Sequence, residues 1–392
     1  MKPSPELIAY FNRVSGYGLL TAGIGGVICV FGYFNLHQQF LAAYQVAFLY
    51  WLGMSLGCLA LAMIHGMTGG AWGRMVRRIV ESGYETLPLM ALLFLPIWLG
   101  AASIYEWADP EIVQQHEVLQ RKAGYLNVAG LQWRSIVYFA IWIISGQALN
   151  RYSPNQEHEA DSPRSRSLQK VSGLGFMLYG FTFSLAAVDW FMSLEPEWYS
   201  TMYALIHIAG QGALALSFAL IAAVALRDFK PWSQIVTPVR LNDYGNLMLA
   251  SVMFWAYCSF FQYLVIWSGN LPEENSWYAH RSQGGWQYLA ISLMLLHFAV
   301  PFLLLLPRRV KRDAQYLCRI ALLLLAMHYV DLYWIVAPGF QRTDDSYHGF
   351  TFHWIDPVAL VTIGGLWLSV FVWRLSVRIR LPLFDPRFEE VK

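Results

Sequence analysis

The chain reads as an all-α integral membrane protein of about ten transmembrane helices, on three observations. Hydrophobic residues make up 57% of the 392 and charged residues only 13%. The mean hydropathy is +0.40, and apolar runs long enough for a bilayer recur from one end to the other.

A helix rises about 1.5 Å per residue, so about 20 mostly apolar residues cross about 30 Å of hydrocarbon. Such runs lie near 16–36, 41–65, 86–107, 133–150, 171–192, 200–226, 243–268, 285–307, 315–336 and 354–377. The loops between them sort by basic charge. One set comprises the N-terminus (Lys2, Arg13), 66–85 (Arg74, Arg77, Arg78), 151–170 (Arg151, Arg164, Arg166, Lys170), 227–242 (Arg227, Lys230, Arg240), 308–314 (Arg308, Arg309, Lys311, Arg312) and the C-terminal end. The other set holds only Arg121, Lys122, Arg134, Arg281 and Arg342. The positive-inside rule makes the first set cytoplasmic, and an even number of spans puts both ends there. Trp107, Trp133, Trp190, Trp198, Trp267, Trp286, Trp334 and Trp354 mark the opposite ends and predict one interfacial aromatic belt. The start, MKPSPELIAYFNRVSG, lacks a short apolar core with a small-residue cleavage site, which predicts a retained first helix. Loop 151–170, rich in Ser, Pro and charge, is the expected seam between two helical halves.

Several function classes drop out. The net charge of +2 is spread over short loops, so no basic face offers itself to a nucleic acid. Cys29, Cys58, Cys258 and Cys318 lie far apart in apolar runs without C-x-x-C or C-x-x-C-H spacing. That predicts no iron–sulfur cluster, no covalent c-type haem and no structural zinc. The sequence thus predicts a chain with no metal site and no electron carrier of its own.

Polar groups inside apolar spans carry the local chemistry, because a charge at mid-membrane is costly unless paired, hydrated or functional. On the basic side these are His65 and Thr68, then Arg77, Arg78 and Glu81, with Asn242 and Asp243 opening the seventh span. Asp243 is placed to gain from the helix dipole in a first turn, and Arg77 and Arg78 read as lipid or topology anchors. On the opposite side stand Glu106, Asp189, Glu195, His207, Gln211, Gln262, Tyr263, His328, Asp331 and Asp356. His207 with Gln211 and His328 with Asp331 have the spacing that shares a helix face. An acid beside an imidazole suits a proton relay or a partner for a quinol hydroxyl, although polar side chains also serve simply as glue between helices. His297, in LLHFAVP, reads as an interhelical hydrogen-bonder. Taken with His65, His207 and His328 it offers one haem-b ligand per helix, without the shared-helix spacing of di-haem bundles.

Three stretches are more specific: HGMTGGAWGRMVRR at 65–78, DWFMSLEPEWYSTMY at 189–203, and NDYGNLMLASVMFWAYCSFFQYLVIWSGNLPEE at 242–274. On these, and on a ten-span layout over nearly the whole chain, the sequence resembles the second quinone-binding-type membrane subunit of bacterial alternative complex III. That complex is a quinol:cytochrome c, or other periplasmic acceptor, oxidoreductase. The resemblance implies a polysulfide-reductase-type, NrfD-like fold in the bacterial inner membrane. Its parts would be a first helix within 1–40, four-helix bundles over 41–192 and 193–336, and a last helix with a cytoplasmic tail over 337–392. It implies that the redox centres sit in partner subunits, namely an iron–sulfur protein and c-type cytochromes, beside a paralogous NrfD-like subunit and lipids. A terminal oxidase is a further partner that it leaves open. The motifs draw attention to Asp189, Glu195, Trp198, Asn242, Asp243, Gln262 and Tyr263.

Two functions follow as expectations. In the first the chain is a cofactor-free subunit with proton half-paths, His65, Asn242 and Asp243 on one side and Asp189, His207, Gln211, His328 and Asp331 on the other. In the second it holds its own quinol site, around Glu195, Gln262 and Tyr263, and passes electrons to a neighbouring iron–sulfur subunit. A stand-alone transporter would place broken helices in matched positions of two halves, and Pro96 and Pro301 do not correspond in that way.

Overall fold

The computed structural model of the chain describes residues 4–152, 163–230, 232–340, 342–343, 346–347 and 349–378. The expected seam at the centre of loop 151–170 lies outside the described residues, at 153–162, as do Lys2, Arg380, Arg387 and Lys392.

Ten helices are long and apolar enough to cross a membrane: α1 (Pro5–Asn35), α2 (His37–Thr68), α3 (Trp72–Leu99), α4 (Val128–Tyr152), α5 (Arg166–Leu194), α6 (Tyr203–Ala225), α7 (Pro238–Gly269), α8 (Trp286–Leu305), α9 (Ala314–Phe340) and α10 (Ile355–Arg378). The protein is all-α and membrane-spanning, and the only strands among the described residues are a two-residue pair, Arg342–Thr343 with Ser346–Tyr347.

Two boundaries differ from expectation for identifiable reasons. The third span, expected at 86–107, begins fourteen residues earlier, at Trp72, because Ala71–Tyr84 is helical and amphipathic rather than a loop. A hydropathy window passes over such a segment, whose charged groups face inward to partners. The seventh span begins at Pro238, with the Thr237 hydroxyl accepting from the Arg240 amide at 3.4 Å. Asp243 therefore stands in the second turn, past the reach of the free amides that would have rewarded it.

α2 is the hub. The central window of α2 is 83% buried, against 17% for α1, and α2 packs against α3, α5, α6 and α10. α4 lies on α5 and completes a first four-helix bundle, α2–α5. α6 packs on α7 and α9, with α8 against both of those helices, giving a second bundle, α6–α9. α1 runs along α10 outside the bundles. Gly18 of α1 meets Gly365 and Ser369, Gly25 meets Thr362, and Gly32 meets Ile355, so the pair is antiparallel. Pro5 and Arg378 accordingly share one face, here called the basic face; the opposite face is the far face.

In hydrocarbon no hydrophobic force draws helices together, so close backbone approach and buried hydrogen bonds decide the packing. At Gly57 of α2 a Cβ would stand 2.2 Å from the Gln211 carbonyl oxygen of α6. The Ser55 hydroxyl sits 2.7 Å from Thr86 Oγ1 and accepts from the Trp367 indole at 2.8 Å, tying α2, α3 and α10 at one point. The lipid-exposed faces are apolar, with Val27 and Phe34 on α1 and Phe260 and Val265 on α7 among them.

The expected tryptophan belt is corrected. Trp133, Trp267 and Trp354 are exposed at the rim, but Trp107, Trp190, Trp198 and Trp286 are buried. Two of these indoles bond inside the protein, Trp190 donating to Ser135 and Trp198 to the Glu274 carbonyl. A tryptophan near a span end is equally suited to closing the end of a bundle.

Gly57→Ala should lower the thermal transition of the detergent-solubilised chain through overpacking of about 1–3 kcal/mol. Gly23→Ala, with open space around it, should leave the transition in place; tryptophan fluorescence melts of the two variants compare them.

Candidate functional site

The polar candidates resolve into four groups. The first is an ion pair in the α2–α5 bundle. Asp189, near the end of α5, is fully buried and receives Arg134 Nε and Nη2 of α4, both at 2.9 Å, together with the Tyr138 hydroxyl at 2.8 Å. Tyr125 lies against the guanidinium, 4.0 Å from its carbon. Both carboxylate oxygens are engaged.

A second buried pair closes the far face of the other bundle. Arg281 Nη2 reaches Glu195 Oε1 at 2.5 Å and donates also to the Ile335 carbonyl, while Nε donates to that of Trp334 and Nη1 to that of Trp277. Its guanidinium stacks 3.6 Å from the Trp277 ring. Glu195 thereby locks the loop after α5 to the end of α9. Lys122 Nζ donates to the neighbouring Pro196 carbonyl at 2.5 Å; burial pushes its ammonium below the usual lysine range, with Glu197 acting against the shift. Gln262, read as a quinone candidate, accepts from the Ser200 hydroxyl at 2.8 Å and donates to the Tyr278 hydroxyl at 3.2 Å. Burial pushes the Tyr278 hydroxyl up to about 12. Tyr263 is exposed, with its ring edge-on to Tyr278.

The third group is the site with unspent chemistry. His207 of α6, His328 and Asp331 of α9 are each at most 3% exposed. His207 lies flat against Phe191, with ring centres 4.4 Å apart, and meets Tyr203 edge-on. His328 packs against α6 where Gly210 leaves room, since a Cβ there would come within 2.6 Å of His328 Cε1. His328 Nδ1 stands 4.0 Å from Asp331 Oδ2, beyond a direct hydrogen bond, and Asp331 receives the Trp255 indole at 3.1 Å. His207 Nε2 and His328 Nδ1 have no hydrogen-bond partner among the described residues. Each such buried atom costs about 1–3 kcal/mol, a cost that a bridging water removes. The sequence singles out His328 and Asp331 by their spacing and hides Trp255, which is one more aromatic residue of an aromatic-rich span.

Gln211, four residues after His207, serves a different purpose. Its Oε1 accepts from the Tyr179 hydroxyl of α5 at 2.6 Å, and its side chain fills the space over Gly53 of α2. It is a joint between the bundles, and a shared helix face did not make it a partner of His207.

The fourth group lies on the basic face. Glu81 of α3 takes Arg78 at 2.8 Å, Arg77 at 3.1 Å and Arg378 of α10 at 3.6 Å, and Glu85 takes Arg378 and the Asn150 amide of α4. Arg78 is buried in this network, which removes it as a lipid anchor because its partner carboxylate lies inward one turn away, whereas Arg77 is half-buried beside it. His65 bonds to the Gly70 carbonyl at 3.2 Å and meets Trp72 edge-on. It opens on a crevice lined also by Gly73, Arg77, Glu81 and Tyr84, with about 30 Å³ open to water-sized molecules, enough for a water. Asn242 is half-buried and Asp243 exposed, and neither is bonded to His65.

For the haem reading, His65 is at the basic face and His207 and His328 lie across the fold. Aromatic side chains lie beside all three rings. Among the described residues no group of three or more His, Cys, Asp or Glu is arranged to hold a metal ion.

Asp189→Asn strands the Arg134 charge and should cost about 3–5 kcal/mol, read as a lower thermal transition. Adding Arg134→Gln should return part of the loss. Scanned against models of known protein families the chain finds no match, and a search of curated proteins likewise finds no relative.

Proposed function

We propose that the chain is a cofactor-free integral membrane subunit of a quinol-oxidising complex of the alternative complex III type, and that it holds and passes protons within the membrane. The observation that carries the proton role is the buried His328–Asp331 pair, with His207 beside it. A carboxyl group and two imidazoles sit away from water without the counter-charges that fix Asp189 and Glu195. Imidazole and carboxyl are the side chains able to exchange a proton near neutral pH when their surroundings shift them. A proton on Asp331 has only the 4.0 Å gap to cross to His328 Nδ1, closed by a small side-chain rotation, and the unbonded ring nitrogens of both histidines give it a place to go. His65 and its crevice are the matching entrance on the basic face, which in this reading is cytoplasmic, with both chain ends there. Support for the complex comes from the three motif stretches and the ten-span layout. The electron carriers would belong to partner subunits, an iron–sulfur protein and c-type cytochromes, beside a paralogous membrane subunit.

A second reading, a quinol site in this chain, is favoured by one feature. The bonded group Ser200–Gln262–Tyr278 lies directly behind the lipid-exposed Tyr263, where a lipid-soluble quinol would arrive.

The test is the whole complex in proteoliposomes with quinol as donor. Asp331→Asn should cut proton movement at least about tenfold at matched electron-transfer rate. Unchanged proton movement would overturn the proton role. A large fall in electron transfer in Gln262→Leu, with proton movement per remaining electron preserved, would favour the second reading.

A further inference from the structure

We propose that His297 of α8 is a third proton-holding group of the same site, carried there by a wide turn in α8, and that Trp255 is the positioning residue that couples it to Asp331. This rests on the reading of His328 and Asp331 as a proton site.

α8 is a lipid-facing helix, only 22% buried over its central window. Met294, Leu295 and Leu296, immediately before His297, are 59%, 47% and 40% exposed, yet His297 is 1% exposed. The buried residues Leu293, His297, Pro301 and Leu305 follow one another at intervals of four. In an α-helix each interval of four overshoots a full turn by about 40°, so the stripe would drift off the protein face. Leu293–Ala299 is a π-helix, whose i→i+5 bonds take in more residues per turn and cancel the drift. Such wide turns are rare, and Pro301, which offers no amide to the His297 carbonyl, helps to open this one. Here the turn holds an imidazole against the protein.

Trp255 of α7 joins His297 to the site. Its ring centre lies 4.1 Å from that of His297, and its indole nitrogen donates to Asp331 at 3.1 Å. The His297 and His328 ring centres are 6.3 Å apart. His297 Nδ1 has no hydrogen-bond partner among the described residues, as with His207 Nε2 and His328 Nδ1. His297 of α8 and His328 of α9 thus flank the Trp255–Asp331 contact, with His207 and Tyr203 of α6, Tyr50 of α2 and Cys258 of α7 among the titratable groups packed around them. A proton on His297 or His328 disfavours one on the other, so the two titrations are coupled.

The test uses the full chain in lipid bilayers, labelled with ¹⁵N-histidine, and follows imidazole protonation by solid-state NMR as pH is varied, with no electron transfer or proton movement involved. His297→Phe, which keeps an aromatic ring in the space, should shift the His328 titration by at least about half a pH unit, as expected for coupled groups. Deletion of Leu295, which removes one residue from the wide turn and changes the angle at which His297 meets Trp255, should also shift it. Ile291→Ala, on the lipid side, should give none. A His328 titration unmoved in both His297→Phe and the deletion would overturn the proposal. That outcome is separable from failure of the proton role, which is read on Asp331 in the working complex.

Discussion

The close approach of α2 and α6 at Gly57 is the contact on which the rest of the arrangement depends. α2 belongs to one bundle and α6 to the other, and the Gln211 carbonyl occupies the space where any other residue at 57 would put its Cβ. With the two backbones in contact, Gln211 reaches Tyr179 on α5. One turn earlier on α6, His207 is held against Phe191, near the end of α5. Gly210, between them, admits His328 from α9. Four helices therefore converge on the imidazole site because one glycine lets two of them touch. In a bilayer, where burial of apolar surface does not pull helices together, contacts of this kind carry the fold.

Asp189 and Asp331 show how environment separates structure from chemistry. Each is buried near the far-face end of the last helix of its bundle. Asp189 meets a bidentate guanidinium and a phenol, and Asp331 meets a single indole and an imidazole held at 4.0 Å. A carboxylate paired with arginine stays charged and ties helices together, whereas a lightly partnered one in an apolar setting can take a proton. Glu195 falls on the same side of that division as Asp189, since Arg281 spans the far face to meet it. The same logic holds on the basic face, where Glu81 and Glu85 gather Arg78 and Arg378 into a network across α3, α4 and α10.

Much of the fold was legible in the sequence because the bilayer imposes one length and one polarity on every span. The ten helices, the basic side and the pairing of His328 with Asp331 all follow from composition and spacing. What depends on packing did not follow. Arg134 and Arg281 read as loop cations, and only the folded chain brings them to Asp189 and Glu195. Gln211 shares a helix face with His207 yet turns to α5. His297 read as a lone polar residue, because a wide turn in α8 leaves no mark in hydropathy. Arg78 read as an anchor because Glu81, one turn along the same helix, was not expected to be in a helix at all.

The central claim is that this chain works inside an assembly whose electron carriers lie in other subunits. The direct measurement is purification of the tagged chain from its native membrane in mild detergent, with subunits identified by mass spectrometry and cofactors by optical and electron paramagnetic resonance spectra. The account predicts co-purifying iron–sulfur and c-type cytochrome subunits, quinol-dependent reduction of the haem, and no chromophore on the chain once it is separated. A chain that purifies alone, or that carries its own redox chromophore, would contradict it.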